Sequence, residues 1–378
     1  MTLIYLVAGE ASGDVLGARL MIALRQLHPE LSFAGIGGAM MAAAGMTSLF
    51  PMQELSLMGL VEILPNITRL KRRLDQTAAD IAARKPAIIV TIDSPGFSLR
   101  LLRRIAELGM RRVHYVAPQV WAWRPGRVNH FPGLWDRLLC LLPFEPAFFE
   151  PHGLAPVFVG HPVLESGADL GDADRFRAQF GLAASARPLI LMPGSRRSEL
   201  NRLLPIFRAT LDRLKADHHD LIPVLAAAPS MADRVRREVQ DWAVRPLIVS
   251  DPAGRYDAFA ASVAALTKSG TSTLELAMAG VPMAVTYRVH PVTAAIARRL
   301  VTVEHAAIVN LLAGHGLVPE LIQQDCTPAR LIAALTPLLS GSASTRQRAG
   351  FAGIIAMLTP PSGATPSVAA AQAILELL

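Results

Sequence analysis

The chain has 378 residues and a net charge of +7, with 52% hydrophobic and 18% charged residues. No uninterrupted apolar run approaches the roughly 20 residues that a membrane-spanning helix needs. The first residues lead into a strand without a basic segment or cleavage site, so we expect neither a membrane-spanning nor a secreted protein. The length predicts two domains, and the charge favours anionic partners: a nucleotide, a nucleic acid or an acidic membrane surface. Cys140 and Cys326 lack metal or disulfide spacing, which fits a reducing compartment.

The first predicted strand, residues 3–8, is followed by the turn Gly9-Glu10-Ala11-Ser12-Gly13-Asp14 and by a helix. The helix carries apolar residues at helical spacing: Leu16, Leu20, Ala23, Leu24 and Leu27. Its glycines do not match the G-x-G-x-x-G dinucleotide pattern, so the sequence predicts a Rossmann-like domain without NAD. Glu10 and Asp14 flank the turn, and helix capping is the alternative to a binding role, most of all for Asp14.

A basic helix is predicted from Ile67 to Arg84, after the apolar segment 58–65. Its first half carries four cations, Arg69, Lys71, Arg72 and Arg73. A basic helix of this kind suits an interfacial position against anionic lipid. From the charges alone we prefer the plainer interpretation, a solvated helix face.

The strand at residues 87–92 ends at Asp93, ahead of a Pro95-Gly96 turn and another helix. Open parallel sheets bind ligands at the carboxyl ends of their strands. A carboxylate placed there can take a proton from an attacking hydroxyl. The alternative is an N-cap, but Asp93 precedes the proline turn rather than the helix start, so we favour the base.

After a strand at residues 113–116, two of the four tryptophans lie within three residues, Trp121 and Trp123, and Trp135 is close by. Aromatic and basic residues in this pattern fit base stacking, a membrane-interface belt or a core beneath a long loop, and these stay open. Gln119 and Arg127 are polar residues suited to lining a cleft.

Residues 164–188 are polar, alanine-rich and strand-free, which predicts an interdomain crossover. The segment contains Asp172-Ala173-Asp174, formally a metal-nucleotide motif, but its place before a helix favours a cap. The pattern then restarts, with a strand at 189–192 and the turn Pro193-Gly194-Ser195-Arg196. Arg196 can pair a phosphate bidentately; the alternative is a surface arginine.

A second turn of this kind lies in the stretch Lys268-Ser269-Gly270-Thr271-Ser272-Thr273-Leu274-Glu275, between two predicted strands and at a helix start. Its hydroxyls and free N–H groups at a helix N-terminus favour phosphate. Gly270 allows close approach of a ligand, and Glu275 can accept hydrogen bonds from a sugar diol. A capping box of Ser272 and Glu275 explains the same residues without a ligand, and both interpretations stay open.

Nine motifs occur in order along the chain: Ala8–Asp14, Met58–Glu62, Ile92–Pro95, Tyr115–Arg124, Pro143–Glu145, Phe158–Pro162, Pro193–Arg196, Ser269–Thr271 with Glu275, and Asn310–Gly314. Together they resemble the lipid-A-disaccharide synthases, nearly from end to end. The resemblance implies an α/β protein of the GT-B fold, in which two Rossmann-like parallel-sheet domains face a cleft. We place an acceptor and membrane-facing domain at 1–165 and a UDP-sugar-binding domain at 166–345. Helices at 346–378 would pack back on the first domain.

The resemblance also implies the reaction: 2,3-diacylglucosamine passes from its UDP derivative to the 6-hydroxyl of 2,3-diacylglucosamine 1-phosphate. The donor is α-linked and the product β-linked, so one inverting displacement and one base suffice. When the family's motifs are matched to this sequence, Asp93 is the implied base. The residues implied to line the acceptor side of the cleft are Glu10, Ser12, Asp14 and Gln119. The residues implied to bind the diphosphate are Arg196, Ser269, Gly270, Thr271, Ser272 and Thr273. Glu275 would bind the ribose, and Asn310 would lie near the UDP. The implied enzyme needs no metal and no cofactor, since arginine and helix N-termini stabilise the leaving diphosphate.

Two departures from the family pattern affect these roles. The family often has a second aspartate where this chain has Gly96, which leaves the base role to Asp93. The segment before Asn310 usually reads Lys-Thr, an aromatic residue, then Leu-Pro-Asn, but here it is Glu304-His305-Ala306-Ala307-Ile308-Val309-Asn310.

Because both implied substrates are acylated, we hypothesise that residues 58–73 and 121–135 dock a cytoplasmic enzyme on the inner membrane of a Gram-negative bacterium. We do not expect nucleic-acid binding, because the basic residues are dispersed, and the oligomeric state is left open. One alternative is a UDP-sugar 2-epimerase of the same fold, which needs no lipid acceptor. Another, of a different class, is a non-catalytic lipid- or nucleotide-binding protein.

Overall fold

The computed structural model describes residues 2–55, 66–339 and 341–378. The chain divides into two compact units, Met1–Pro162 with Leu358–Leu378, and Val163–Met357. Among the described residues, no helix is both long enough and apolar enough to cross a membrane.

The first unit is built on a six-stranded parallel sheet. Its strands are β1 (Leu3–Ala8), β2 (Ser32–Ile36), β3 (Ile88–Ile92), β4 (Arg111–Tyr115), β5 (Arg137–Cys140) and β6 (Pro156–Phe158). Its described α-helices are α1 (Ala11–Leu27), α2 (Ala39–Ala43), α3 (Ile67–Arg84), α4 (Pro95–Arg104), α5 (Val120–Trp123), α6 (Glu145–Phe149) and, last in the chain, α16 (Pro366–Leu375).

The strand order of the first sheet is β2-β1-β3-β4-β5-β6, with every pair parallel. The chain therefore leaves β1 to one side for β2 and returns to the other side for β3. At such a reversal the two following loops diverge and leave a crevice beyond the carboxyl ends of the strands. Ala8 pairs with Ile92, so the turn after β1 and the residues after β3 meet at this crevice.

The core of the first unit follows from its apolar strands. β1 and β3 are buried on both faces, as expected for a parallel sheet covered by helices. The predicted stripe of α1 is buried at Leu16, Leu20, Ala23 and Leu24, and α16 packs in the same cluster through Ala370 and Ile374. Leu27, at the same helical spacing, is the last residue of α1 and is 39% exposed.

The second unit repeats the design. Its strands are β7 (Arg187–Met192), β8 (Leu221–Ala226), β9 (Leu247–Val249), β10 (Ala264–Lys268), β11 (Met283–Tyr287) and β12 (Glu320–Ile322). Its described helices are α7 (Ala173–Phe180), α8 (Arg197–Asp217), α9 (Ala232–Val239), α10 (Pro252–Ala261), α11 (Ser272–Met278), α12 (Pro291–Leu300), α13 (Ile308–Ala313), α14 (Pro328–Leu339) and α15 (Ser342–Met357).

The second sheet is ordered β12-β11-β10-β7-β8-β9 and is again parallel. The reversal lies between β7 and β10, where Met192 pairs with Thr267. The crevice therefore receives the turn that starts at Pro193 and the turn that follows Lys268. Two Rossmann-like units with parallel sheets confirm the predicted fold class.

The predicted crossover, residues 164–188, is strand-free up to residue 186; β7 begins at Arg187, two residues earlier than expected, and the whole segment is part of the second unit. Arg175 of α7 makes a bidentate ion pair with Asp257 of α10. Asp172 accepts hydrogen bonds from the N–H groups of Asp174 and Arg175, which confirms that this aspartate is a helix cap. The domain limits 1–165, 166–345 and 346–378 remain a proposal about functional domains, which compactness does not test.

Candidate functional site

Asp93 lies at the crevice of the first sheet, directly after β3. Its backbone has φ +50°, and that of Ser94 has φ +46°, two successive left-handed residues that are not glycine. Such a conformation is costly and persists only where the surroundings enforce it. Here the N–H of Asp93 donates to Tyr115 O at 2.8 Å, and Ser98 Oγ donates to Asp93 O at 2.7 Å.

The carboxyl group of Asp93 is suited to proton transfer. Burial raises its pKa, because the charged form loses solvation. The N-cap position of α4 belongs to Ser94, not to Asp93. The capping alternative for Asp93 is therefore not what the structure shows.

Ser94 Oγ is buried and has no hydrogen-bond partner among the described residues. It lies against Gly9, where a Cβ atom would come within 2.5 Å of this oxygen. Gly9 thus lets the turn after β1 pass close to the turn after β3. The two turns border a cavity of about 150 Å³, which we call the α3–α4 cavity; its lining includes Leu55, Leu70 and Leu74 on its apolar side and Glu10, Ser94 and Arg100 on its polar side.

The other residues of the first turn divide between exposed and structural positions. Ser12 is exposed, and Glu10 is half-buried at the N-cap position of α1. Asp14 is only 5% exposed, and its carboxylate accepts hydrogen bonds from the N–H groups of Gly38, Met40 and Met41 at 2.7–3.0 Å. Asp14 therefore fixes the start of α2 against α1.

The tryptophan side chains that follow β4 differ in their exposure to solvent. Trp135 is buried, stacked on His114 with ring centroids 5.3 Å apart, and its Nε1 donates to Leu154 O. This residue is core, so it does not belong to a docking surface. Trp123 is 39% exposed beside Arg124, whose guanidinium lies 4.8 Å from the indole centroid, and Gln119 is exposed at the start of α5.

Glu145 anchors Trp121. Its carboxylate is buried and accepts hydrogen bonds from Trp121 Nε1 at 3.1 Å and from the N–H groups of Leu141 and Leu142 at 2.9 and 3.0 Å. Burial raises the pKa of Glu145 to about 7 despite these donors, which favour the charged form.

We expect Glu145→Ala to lower the free energy of unfolding by about 2–4 kcal/mol, because buried donors left unsatisfied cost about 1–3 kcal/mol each. Since the pKa is raised in the folded state, the stabilising contribution of the protonated carboxyl is present at low pH and is lost as pH rises through about 7. Urea denaturation at about pH 5 and pH 8 should therefore show wild type losing stability relative to the variant as pH rises. The exposed Glu150 provides the control; an equal loss in Glu150→Ala would contradict the assignment.

In the second unit, Glu199 organises the turn after β7. It is nearly buried, and its Oε2 accepts hydrogen bonds from the N–H groups of Ser195 and Arg196 at 3.0 and 3.1 Å. Gly194 has φ +110°, and a Cβ there would overlap this oxygen. Arg196 is left 55% exposed, with Nη1 3.8 Å from Glu199 Oε1.

Lys268, at the end of β10, joins the two turns of the second crevice. Its Nζ lies 3.3 Å from Glu199 Oε1, and a Cβ on Gly270 would lie 3.1 Å from the same Nζ. Lys268 and Gly270 line a cavity of about 230 Å³ together with Ser195, Arg255, Ser272 and Glu275. A cation here faces the hydroxyl-rich turn, the arrangement that suits a diphosphate.

Glu275 is bound by residues from α10. Its Oε1 accepts hydrogen bonds from Arg255 Nη2 at 3.0 Å and from the Tyr256 hydroxyl at 3.1 Å. The N-cap position of α11 is Thr271. The capping box of Ser272 and Glu275 is therefore not the arrangement observed, and Glu275 is one of the residues that line the cavity.

The hydroxyl-bearing residues of the turn after β10 differ in solvent exposure. Thr271 is exposed and Ser272 half-buried, whereas Thr273 is fully buried and donates to Gly270 O at 2.8 Å. Ser269 Oγ donates to Ala306 O at 2.7 Å. Thr271 and Ser272 line the cavity, and Ser272 Oγ also donates to Lys268 O at 3.4 Å.

Asn310 is 1% exposed and structural in its contacts. Its amide donates to Val318 O at 2.9 Å and to Glu320 Oε1 at 2.7 Å, and its Oδ1 accepts from Val318 N at 2.9 Å. Asn310 therefore fastens α13 to the segment leading into β12.

Two residues of the second cavity, Lys268 and Arg255, received no role from the sequence. Lys268 is the first residue of the hydroxyl-rich stretch, so its place at a strand end was a usable signal. Arg255 had no such signal, because its relation to Glu275 depends on the packing of α10 beside α11. Among the described residues no group of three or more His, Cys, Asp or Glu side chains is arranged to hold a metal ion.

Comparisons with known proteins agree on one family. The family model for lipid-A-disaccharide synthetase matches residues 4–358. A lipid-A-disaccharide synthase of Gluconobacter oxydans is 57% identical over 376 residues, which cover 99% of this chain and 90% of that protein. The enzyme of the same name from Granulibacter bethesdensis is 56% identical over 387 residues, covering 100% of this chain and 98% of that protein.

Solved structures share the fold at low sequence identity. The S. aureus MnaA-UDP co-structure superposes with a TM-score of 0.65 at 14% identity, covering 99% of this chain and 95% of that one. MurG from Acinetobacter baumannii gives a TM-score of 0.58 at 14% identity and covers 100% of both chains.

Proposed function

The chain belongs to the lipid-A-disaccharide synthetase family, and we propose that its two crevices divide the family's reaction between acceptor activation and departure of UDP. The protein is a glycosyltransferase of lipid A biosynthesis: it transfers 2,3-diacylglucosamine from UDP to the 6-hydroxyl of 2,3-diacylglucosamine 1-phosphate. The family match also decides against the UDP-sugar 2-epimerase and the non-catalytic binding protein.

In the proposed mechanism Asp93 removes the proton from the 6-hydroxyl as that oxygen attacks the anomeric carbon of the donor. The glycosidic bond to UDP breaks in the same step, with inversion. The supporting observation is the half-buried carboxyl at the crevice of β1 and β3, whose pKa is raised by burial. A base with a raised pKa holds the transferred proton more firmly. Glu10, Ser12 and Gln119 are proposed to contact the acceptor.

The leaving diphosphate is proposed to bind at the second crevice. Lys268, Arg196, and the turn of Gly270, Thr271 and Ser272 offer cations, hydroxyls and N–H groups where negative charge develops. Glu275, held by Arg255 and Tyr256, is proposed to accept the ribose hydroxyls. Ser269, Thr273 and Asn310 are engaged in their own unit, as Asp14 is in the first, so we propose that these four position the site.

We propose that these groups replace a metal ion, so that turnover is metal-independent. UDP release by the purified enzyme should require the lipid acceptor and should be unchanged by excess EDTA. Loss of UDP release on chelation, restored by added Mg²⁺, would contradict this mechanism. UDP release at the same rate without acceptor would contradict the transfer itself.

We propose that the protein docks on the inner membrane through the exposed face of α3. Lys71 and Arg72 are exposed, and Ile67 beside them is 50% exposed. Arg73, which we had grouped with them, instead makes a bidentate ion pair with Glu54, so its charge is already neutralised. Residues 58–65, which belong to the same proposed docking region, lie outside the described part of the chain.

We expect Lys71→Glu with Arg72→Glu to weaken binding to vesicles containing phosphatidylglycerol, because each basic residue near an anionic surface contributes about 1 kcal/mol. Sedimentation with vesicles measures this, and raised salt should reduce the difference. Arg236→Glu with Arg237→Glu on α9 gives the same change in charge as a control. Equal weakening by both pairs would show a general charge effect and no specific surface.

A further inference from the structure

Arg100 occupies an unusual position on α4. It is exposed at the α3–α4 cavity, and the structure gives it no ion pair or hydrogen bond within the described residues. Its helix neighbours differ: Arg104 lies 3.2 Å from Asp75, and Arg103 donates to His130 O. Only Arg100 of these three lines the cavity and presents its guanidinium donors uncommitted.

Gly96 lies one helical turn before Arg100, on the same face of α4. A Cβ atom on Gly96 would meet no atom of the described residues within 4 Å. A planar guanidinium with five N–H donors is the group that holds phosphate bidentately.

A second group at the cavity also lacks a partner. Ser94 Oγ lines it, is buried, and forms no hydrogen bond among the described residues. A buried hydroxyl without a partner is costly and calls for an external one. Ser94 is the N-cap residue of α4, at the end whose N–H groups favour negative charge.

The opposite side of the cavity is apolar. Leu70 and Leu74 of α3 and Leu55 line it, so the cavity has one side that suits an anionic group and another that suits contact with hydrocarbon. The donor's diphosphate is proposed for the other unit, which leaves the acceptor as the acylated phosphate compound of this reaction.

We propose that Arg100 and Ser94 Oγ bind the phosphate group of the acceptor, so that Arg100 determines the preference for a phosphorylated acceptor. This inference rests on the proposed function and refines its acceptor site. The leucine side contacts an acyl chain, and the phosphate fixes the sugar while Asp93 reaches the 6-hydroxyl. Glu10 lies on the same polar side, where a carboxylate can accept hydrogen bonds from sugar hydroxyls.

The test compares two acceptors, 2,3-diacylglucosamine 1-phosphate and the same sugar without phosphate, by the kcat/KM for UDP release. Wild type should prefer the phosphorylated acceptor. Arg100→Ala should lower kcat/KM for that acceptor by about 10- to 100-fold, the effect of a hydrogen-bonded charge, and leave the other acceptor unchanged. Arg100→Lys should restore part of the preference, since it keeps the charge without the bidentate geometry. Arg104→Ala, on the same helix and away from the cavity, should behave as wild type.

The inference would be overturned if Arg100→Ala still preferred the phosphorylated acceptor. It would also be overturned if the variant lost kcat/KM equally with both acceptors, or if only the KM for the UDP-sugar rose. Wild type that releases UDP without needing any acceptor would remove the proposed function, and this inference with it. The two failures are thus distinguishable in one set of assays.

Discussion

We expect Asp93→Asn to lower the turnover rate by about 10²- to 10⁴-fold, the contribution typical of a general base, while UDP still binds. Asparagine keeps the size of the side chain but cannot accept the proton of the 6-hydroxyl. The backbone contacts that hold residue 93, Tyr115 O and Ser98 Oγ, do not involve the carboxyl, so the fold should be retained. UDP release with saturating acceptor measures the rate, and calorimetry measures UDP binding.

The pH dependence identifies the same group. Because burial raises the pKa of Asp93, the carboxyl stays protonated and inactive to a higher pH than an ordinary aspartate, whose pKa is about 3.9. Activity should therefore rise with pH through that raised pKa, and this acid limb should be absent from the residual activity of Asp93→Asn. Asp75→Asn, at an exposed ion pair with Arg104, is the matched control. Near-normal turnover in Asp93→Asn would move the base role to Glu10, because Asp14 is committed to three N–H groups.

We expect Lys268→Met to lower kcat by about 10²- to 10³-fold, the loss typical when one donor to a developing negative charge is removed. It should also weaken UDP binding. The ammonium group lines the second cavity beside Gly270 and Ser272, and methionine retains its length without the charge. Lys215→Met is the control, since Lys215 binds only carbonyl oxygens near the end of α8.

The same substitution has a separable effect on stability. Lys268 neutralises Glu199, which is nearly buried, and removing one partner of a buried pair costs about 3–5 kcal/mol. Adding Glu199→Gln removes the unpaired charge and should restore much of the stability without restoring activity. Recovery of full activity in this double variant would show that Lys268 serves only to neutralise Glu199.

Much of the site was predictable where a residue's role follows from its place along the strand. Asp93, Arg196 and the hydroxyl-rich turn at Ser269–Thr273 all come after a short apolar run that predicts a buried strand. Helix α3 was predicted with its observed bounds, Ile67–Arg84, because its charges and apolar stripe have a clear helical period. The weaker predictions concerned side chains whose environment depends on distant segments, such as Trp135 and Arg73.

The sequence by itself determined the two parallel-sheet units, the turns at their strand ends and, through its motifs, the family. These features depend on neighbouring residues: runs of buried hydrophobics, glycines and polar residues at fixed spacing. Only the tertiary structure decided which turns meet, because the order of strands places β1 beside β3 and β7 beside β10. That order brings Ser94 against Gly9 and Lys268 against Glu199. It also decided which polar residues are engaged within the fold, as Asp14 and Asn310 are. Arg100, by contrast, has no partner among the described residues, and such differences arise because packing alone brings together hydrogen-bond partners that are far apart in sequence.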